Sequence, residues 1–292
     1  MTFSCILATS AVTWLAVSKG QLSLFEVAHL LGYWPINIFD LIKTFLLVTI
    51  LFLGPLFESA VCEGSWRDWL RLRGVGDVMA SSIGWRNYVA VRSSVLTISL
   101  DMELTIRQGP VTEEVLFRSV IIAVHLLAKV PPSRLVFIIP LYFGIAHVHH
   151  FYEFTLTHPQ APLIAALLRS LFQFTYTSLF GFYAAFVYLR TGNLYACIIA
   201  HSFCNFMGLP RFWGRIETPV TIGPQGAGRK EDPSGQVVKD ARDLQVADGR
   251  LGLQWTVAYY VLLVLGAWLF YQNLWTLTTS AHALVDFGYG KN

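Results

Sequence analysis

The chain has 292 residues, 54% of them hydrophobic and only 13% charged, against about 25% charged in an ordinary soluble domain. That leaves too few charged side chains to cover a soluble core, so a bilayer is the natural solvent. The net charge of +3 is mild, and no stretch interleaves basic and aromatic residues as a nucleic-acid-binding face would.

The first apolar run covers Phe3 to Val17. No basic segment precedes it, so it reads as a membrane span, not a cleaved signal peptide. A second run covers about Leu41 to Phe57, with Lys43 placed to snorkel near one end. The half-polar stretch Glu63 to Arg86 follows. With Arg92 and Arg107 it supplies interfacial or loop cations, and the positive-inside rule puts this basic region on the cytosolic side. Tyr88 to Leu100 is apolar but short for a span of about 20 residues, so part of it is expected in the interface.

Val111 to Val130 is the next apolar run; Pro131-Pro132 stops it, and a new helix is expected to start at Arg134. Leu135 to Ala146 contains Pro140 and Gly144, which predict a kink. Pro162 to Leu189 is long enough for one tilted span or two pieces, and Leu194 to Leu209 is a further span. Arg211 to Arg250 is rich in Gly, Pro, Asp, Lys and Arg and reads as a flexible extramembrane loop. Leu251 to Trp275 is the clearest span of all. The sequence therefore predicts an all-α, polytopic bundle of about seven or eight transmembrane helices. It forms a single domain over residues 1–292, interrupted by the loop at about 211–250. The four cysteines (Cys5, Cys62, Cys197, Cys204) lack CxxC spacing and read as small core residues.

Ionisable groups at membrane depth are costly, so those present are the first candidates for function. Gly109-Pro110 opens a helix in which Glu113 and Glu114 lie near the N-terminus, favoured there by the macrodipole. Glu114 and Arg118 are spaced i,i+4 and can pair, while Glu113 points about 100° away. Phe143-Gly144-Ile145-Ala146-His147 ends the proline-containing helix, and its small residues allow another backbone to approach. His149 and His150 lie just beyond, as interfacial residues. His201 and Asn205, again i,i+4, share one face of a later helix. Singly, each cluster has a plain structural explanation: a charge cap, a satisfied core histidine, an interhelical hydrogen-bond pair. One shared site in which these groups satisfy one another accounts for all three together.

Three motifs now stand in order, each on its own helix: Glu113-Glu114-x-x-x-Arg118, Phe143-x-x-x-His147 and His201-x-x-x-Asn205. In this the chain resembles the type II CAAX prenyl endopeptidases, the Ras-converting enzymes of the intramembrane CAAX protease family. The resemblance covers roughly Asp40 to Pro210, and Asn205 and Gly109-Pro110-Val111-Thr112 resemble the eukaryotic branch. It implies a multi-pass protease of the endoplasmic reticulum membrane that removes the C-terminal aaX tripeptide. The implied partners are the bilayer and farnesylated or geranylgeranylated Cys-a-a-X proteins such as Ras-type small GTPases, with no cofactor. Carried over by position, Glu113 and His147 activate the attacking water, and His201 and Asn205 hold the oxyanion. Glu114, Arg118 and Phe143 support the site. Three other readings of the same residues stay open: a metalloenzyme ligated by Glu113, His147 and His201, a transporter with a Glu/His proton relay, and a scaffold that only binds a peptide tail.

Overall fold

The computed structural model describes residues 2–20, 22–62, 64, 109–216 and 251–288. The arginine-rich stretch after Glu63, the short apolar segment Tyr88 to Leu100 and residues 217–250 of the expected loop lie outside the described residues. Among the described residues every regular element is helical. The first helices are α1 (Thr2–Ser18), α2 (Leu24–Leu30), α3 (Ile38–Leu51) and α4 (Leu53–Phe57), with a π-helical turn at Glu58–Cys62. Next come α5 (Gly109–Glu114), a π-helix at Val115–Ile122, and α6 (Ala123–Leu127). The last five are α7 (Pro132–Ala146), α8 (His149–Thr157), α9 (Leu163–Thr191), α10 (Leu194–Met207) and α11 (Leu253–Leu277).

Among the described residues three helical stretches are long and apolar enough to cross a bilayer: Pro132–Thr157, Leu163–Thr191 and Leu253–Leu277, of 26, 29 and 25 residues. The count rises to four if Ile38–Leu51 and Leu53–Cys62, bent by 78°, form one broken span. That is fewer than the seven or eight helices expected over the whole chain, which include Tyr88 to Leu100 outside the described residues. The difference lies in α1 and α10, which are apolar but shorter, and in the run from Gly109 to Leu127, where a π-helix divides the α-helix. The long apolar stretch after Pro162 resolves into one helix, α9. At 1.5 Å per residue it is about 43 Å long, more than the ~30 Å hydrocarbon core requires.

Local chemistry fixes the helix starts. Ser23 and Glu26 form a capping box on α2. Asn37 caps α3 through Phe39 N (3.0 Å) and Asp40 N (3.4 Å), and Asn193 caps α10 through Ala196 N (3.2 Å). The α9 helix ends at Gly192 with φ +59°, and a Cβ there would lie 2.4 Å from the His282 carbonyl oxygen, so glycine serves both the left-handed turn and the close approach.

α7 and α9 pack closely because small residues face large ones. A Cβ at Gly144 would meet Ser178 Oγ at 2.4 Å, and one at Gly181 would meet Pro140 Cβ at 2.9 Å. Gly144 thus does what its size suggests, whereas Ala146 faces outward and is exposed.

α1 runs parallel to the α5–α6 run. Cys5 Sγ donates to the Thr112 carbonyl (3.4 Å) near one end, and Val12 and Ala16 pack with Val120 and Ala123 near the other. The chain segment after α11 clamps the end of the bundle away from the glutamates. There Arg190 donates to Thr278 Oγ1 (2.9 Å), the Trp275 carbonyl (2.9 Å) and Thr279 Oγ1 (3.0 Å). Buried Asp40 accepts from Ser280 Oγ and pairs with Lys43 at 2.9 Å. Leu284 N and Val285 N both donate to the Leu189 carbonyl. This clamp sets the register of α3, α9 and α11, and Asn193 Nδ2 ties the start of α10 to the Asn37 carbonyl (2.9 Å).

Candidate active site

Glu113 and Glu114 sit at the end of α5, where the helix passes into the π-helix. Their side chains diverge as the 3.6-residue turn requires: Glu114 is completely buried, while Glu113 keeps 24% of its side chain exposed. Arg118, one turn on, is also buried, with its Nε 3.1 Å from Glu114 Oε2. The distance is that of an ion pair, but the alignment is not that of a hydrogen bond, and all three guanidinium nitrogens lack a hydrogen-bond partner. The guanidinium instead lies over two aromatic rings, with Cζ 4.6 Å from the Phe143 centroid and 5.7 Å from that of Phe180.

α10 brings His201 to the same place. Its Nδ1 is 2.8 Å from Glu114 Oε1, and its Nε2 is 3.8 Å from Glu113 Oε2. A carboxylate held beside a guanidinium can only accept, so Nδ1 carries the proton. Nε2 then points toward Glu113 and the more open side of the site. In this tautomer Nε2 donates a hydrogen bond only when it carries a proton as well.

His147 caps the C-terminus of α7 and its Nδ1 lies 2.7 Å from the Phe143 carbonyl oxygen. A carbonyl accepts, so here too the proton is on Nδ1, and Nε2 is left as a free base in the neutral ring. Phe143, 1% exposed, touches three groups of the site: its ring centroid is 4.6 Å from that of His147 and 6.1 Å from that of His201, and it carries Arg118 on its face. Asn205 is half-buried one turn beyond His201 on α10, and its side chain makes no hydrogen bond among the described residues.

The three motifs therefore converge, though unequally. Glu113, Glu114, Arg118, Phe143 and His201 form one contact network. His147 joins it through Phe143, and Asn205 only through its place on α10. No hydrogen bond or ion pair joins Glu113 to His147 among the described residues. His149 and His150 lie outside the network, and His150 pairs with Glu153 at 2.8 Å. Among the described residues no group of three or more His, Cys, Asp or Glu is arranged to hold a metal ion.

Sequence reasoning missed Phe180, whose ring centroid is 4.6 Å from that of His201. It also missed Ser119, whose Oγ donates to the Leu31 carbonyl (2.7 Å) and ties the site's helix to the end of α2. Phe180 stands in an aromatic-rich apolar run, so no local signal distinguishes it. A buried serine next to Arg118 was the available clue to the other.

Residues 95–207, which contain every residue of the network and both His147 and Asn205, match the family described as type II CAAX prenyl endopeptidase Rce1-like. The chain belongs to this family. It is 34% identical to the probable CAAX prenyl protease 2 of Schizosaccharomyces pombe over 177 residues, which are 61% of this chain and 58% of that protein. It is 33% identical to CAAX prenyl protease 2 of Homo sapiens over 220 residues, 74% of this chain and 59% of that protein. The Saccharomyces cerevisiae protein of the same name is 36% identical over 164 residues, 54% of this chain and 45% of the relative. The chain thus spans at most about three-fifths of the length of these curated relatives. No solved structure matches it.

Proposed function

We propose that the chain is an intramembrane endopeptidase that removes the aaX tripeptide from prenylated Cys-a-a-X proteins. One observation carries the reading: a family-matched segment places a partly exposed carboxylate, Glu113, against a buried Glu114–His201–Arg118 network inside an apolar helical bundle. Hydrolysis of an amide needs a base for water and donors for the tetrahedral oxyanion. Glu113 and the Nε2 lone pair of His147 are the groups that take the proton from water. His201, when it carries a proton on Nε2 as well as on Nδ1, and the Asn205 amide are the donors for the oxyanion. Glu114 and Arg118 hold His201 in its tautomer from behind, and Phe143 packs among them.

The substrates fitting this site are farnesylated or geranylgeranylated proteins such as Ras-type small GTPases, whose lipid partitions into the bilayer and delivers the peptide to the site. The setting is the endoplasmic reticulum membrane, with the end of the bundle bearing Glu113 facing the cytosol. α1, the broken α3–α4 pair, the α5–α6 run, the α7–α8 run, α9, α10 and α11 are the membrane helices in this reading, the whole forming one protease domain.

The test uses purified protein in detergent with a farnesylated Cys-a-a-X peptide and its unprenylated counterpart, with and without a strong chelator. Mass spectrometry should find the tripeptide released only from the farnesylated peptide, by a cut after the prenyl-cysteine, at a rate the chelator leaves unchanged. Loss of cleavage on chelation, restored by added metal, would replace the mechanism with a metal-dependent one. Absence of cleavage by folded protein would remove the substrate assignment.

A further inference from the structure

We propose that Phe180 of α9 is a positioning residue of the site, one ring that fixes the orientation of both His201 and Arg118. α9 carries none of the three motifs, yet Phe180 reaches into their midst. Its centroid lies 4.6 Å from the His201 ring at an interplanar angle of 45°, and 5.7 Å from Arg118 Cζ. Phe180 is thus in contact with the histidine and with the cation that charge-balances the histidine's carboxylate partner.

The need for such a ring follows from what holds each neighbour. His201 has one strong directional contact, Nδ1 to Glu114 Oε1 at 2.8 Å. A ring anchored through a single atom can still swing about that bond, and the swing would carry Nε2 away from Glu113. Phe180 on one side and the edge-on Phe143, 6.1 Å away at 83°, block it. Arg118 is less constrained by hydrogen bonds, since none of its buried nitrogens has an aligned acceptor. Its position is set by the charge of Glu114 and by the faces of Phe143 and Phe180, where a guanidinium is attracted to the ring quadrupole. Removing the Phe180 face therefore loosens Arg118, and through it the carboxylate that orients His201. Phe143 cannot replace it, because that ring is already engaged by His147 and Phe117, with centroids at 4.6 and 5.1 Å. A volume-filling aliphatic side chain would keep the packing but supply neither the flat face nor the quadrupole.

The kinetic part of this inference rests on the proposed peptidase reading, and the spectroscopic part does not. Histidine-selective 15N labelling in detergent reads the ring nitrogens of His201 directly, with the His201→Gln spectrum assigning them. The wild type should show one Nδ1–H tautomer. Phe180→Leu and the volume-conserving Phe180→Met should shift and average that signal, Phe180→Tyr should preserve it, and Phe172→Leu, an exposed site on the same helix, should leave it untouched. On the prenyl peptide, the Leu and Met variants should lose about 10- to 100-fold in kcat with KM within about twofold, because misplacement of a reacting group acts on the chemical step. Tyr should recover most of that loss. A wild-type His201 signal in either folded aliphatic variant overturns the inference, whatever the kinetics. A wild type that cleaves nothing sinks the peptidase reading alone, since the nitrogen spectra still decide the role of Phe180.

Discussion

Replacing Arg118 with leucine probes the most consequential electrostatic feature of the bundle. Glu114 is fully buried and Arg118 nearly so, with 3.1 Å between the charged groups. Coulomb's law at an effective dielectric of about 20 gives a gross attraction of about 5 kcal/mol at that distance. Much of this offsets the desolvation of the two ions, so the pair as a whole contributes little net stability, but removal of one partner strands the other. Arg118→Leu should therefore destabilise the fold by about 3–5 kcal/mol. At about 2–4 °C per kcal/mol, that is a fall in Tm of roughly 6–20 °C. The second variant makes the argument specific: Glu114→Gln removes the stranded charge while keeping an oxygen at the position that accepts from His201 Nδ1. The double variant Glu114→Gln/Arg118→Leu should recover at least half of the lost stability. Melting curves in detergent, followed by tryptophan fluorescence, measure both. An Arg118→Leu protein that melts within about 2 °C of wild type would refute the buried-pair argument, and so would a double variant no more stable than the single.

Three further outcomes are expected. Asn205→Ala should lower kcat on a prenylated peptide by about 10²–10³ with KM little changed, the effect of losing one oxyanion donor, and steady-state kinetics will show whether the loss falls on kcat. Arg190→Gln removes the charged donor that ties α9 to Trp275, Thr278 and Thr279. It should cost about 2 kcal/mol in thermal stability and leave kcat/KM per folded molecule unchanged, because the clamp is at the other end of the bundle. Gly144→Val forces a side chain into Ser178 and Phe174, which a Cβ alone would meet at 2.4 and 2.9 Å. It should destabilise the fold by about 1–3 kcal/mol as α7 and α9 separate, seen as a lower Tm together with reduced activity.

What the sequence disclosed, and what it hid, follows from how far each interaction reaches along the chain. The pairing of Glu114 with Arg118, the divergence of Glu113 from Glu114 and the common face of His201 and Asn205 are set by helical geometry within one turn. All three were readable from spacing. The break at Pro131-Pro132 and the extent of α11 were legible for the same reason, since proline and an unbroken apolar run act locally, although α7 starts at Pro132, two residues before the expected Arg134. The π-helix at Val115–Ile122 was not, because its residues look like any apolar helix and the wider turn is imposed by packing. The split of α3 from α4 carried only a Gly54-Pro55 hint, and the close approach of Gly54 to Tyr259 and Leu263 of α11 fits the bend there. Phe180 and the Arg190 clamp are long-range features with no spacing rule at all: Asp40 meets Ser280 across 240 residues of chain. The convergence of the motifs on one network could be anticipated by economy, but not the weaker tie of His147, which depends on where α7 ends.

The central claim is that Glu113 carries the proton-transfer chemistry, and its direct test is the Glu113→Gln protein assayed for tripeptide release from a farnesylated Cys-a-a-X peptide. The partly exposed amide keeps the shape of the side chain and removes the base. Cleavage should fall by about 10²–10⁴, the usual contribution of a positioned general base, while Tm stays within about 2 °C of wild type. A folded Glu113→Gln protein that releases the tripeptide at the wild-type rate would contradict the account.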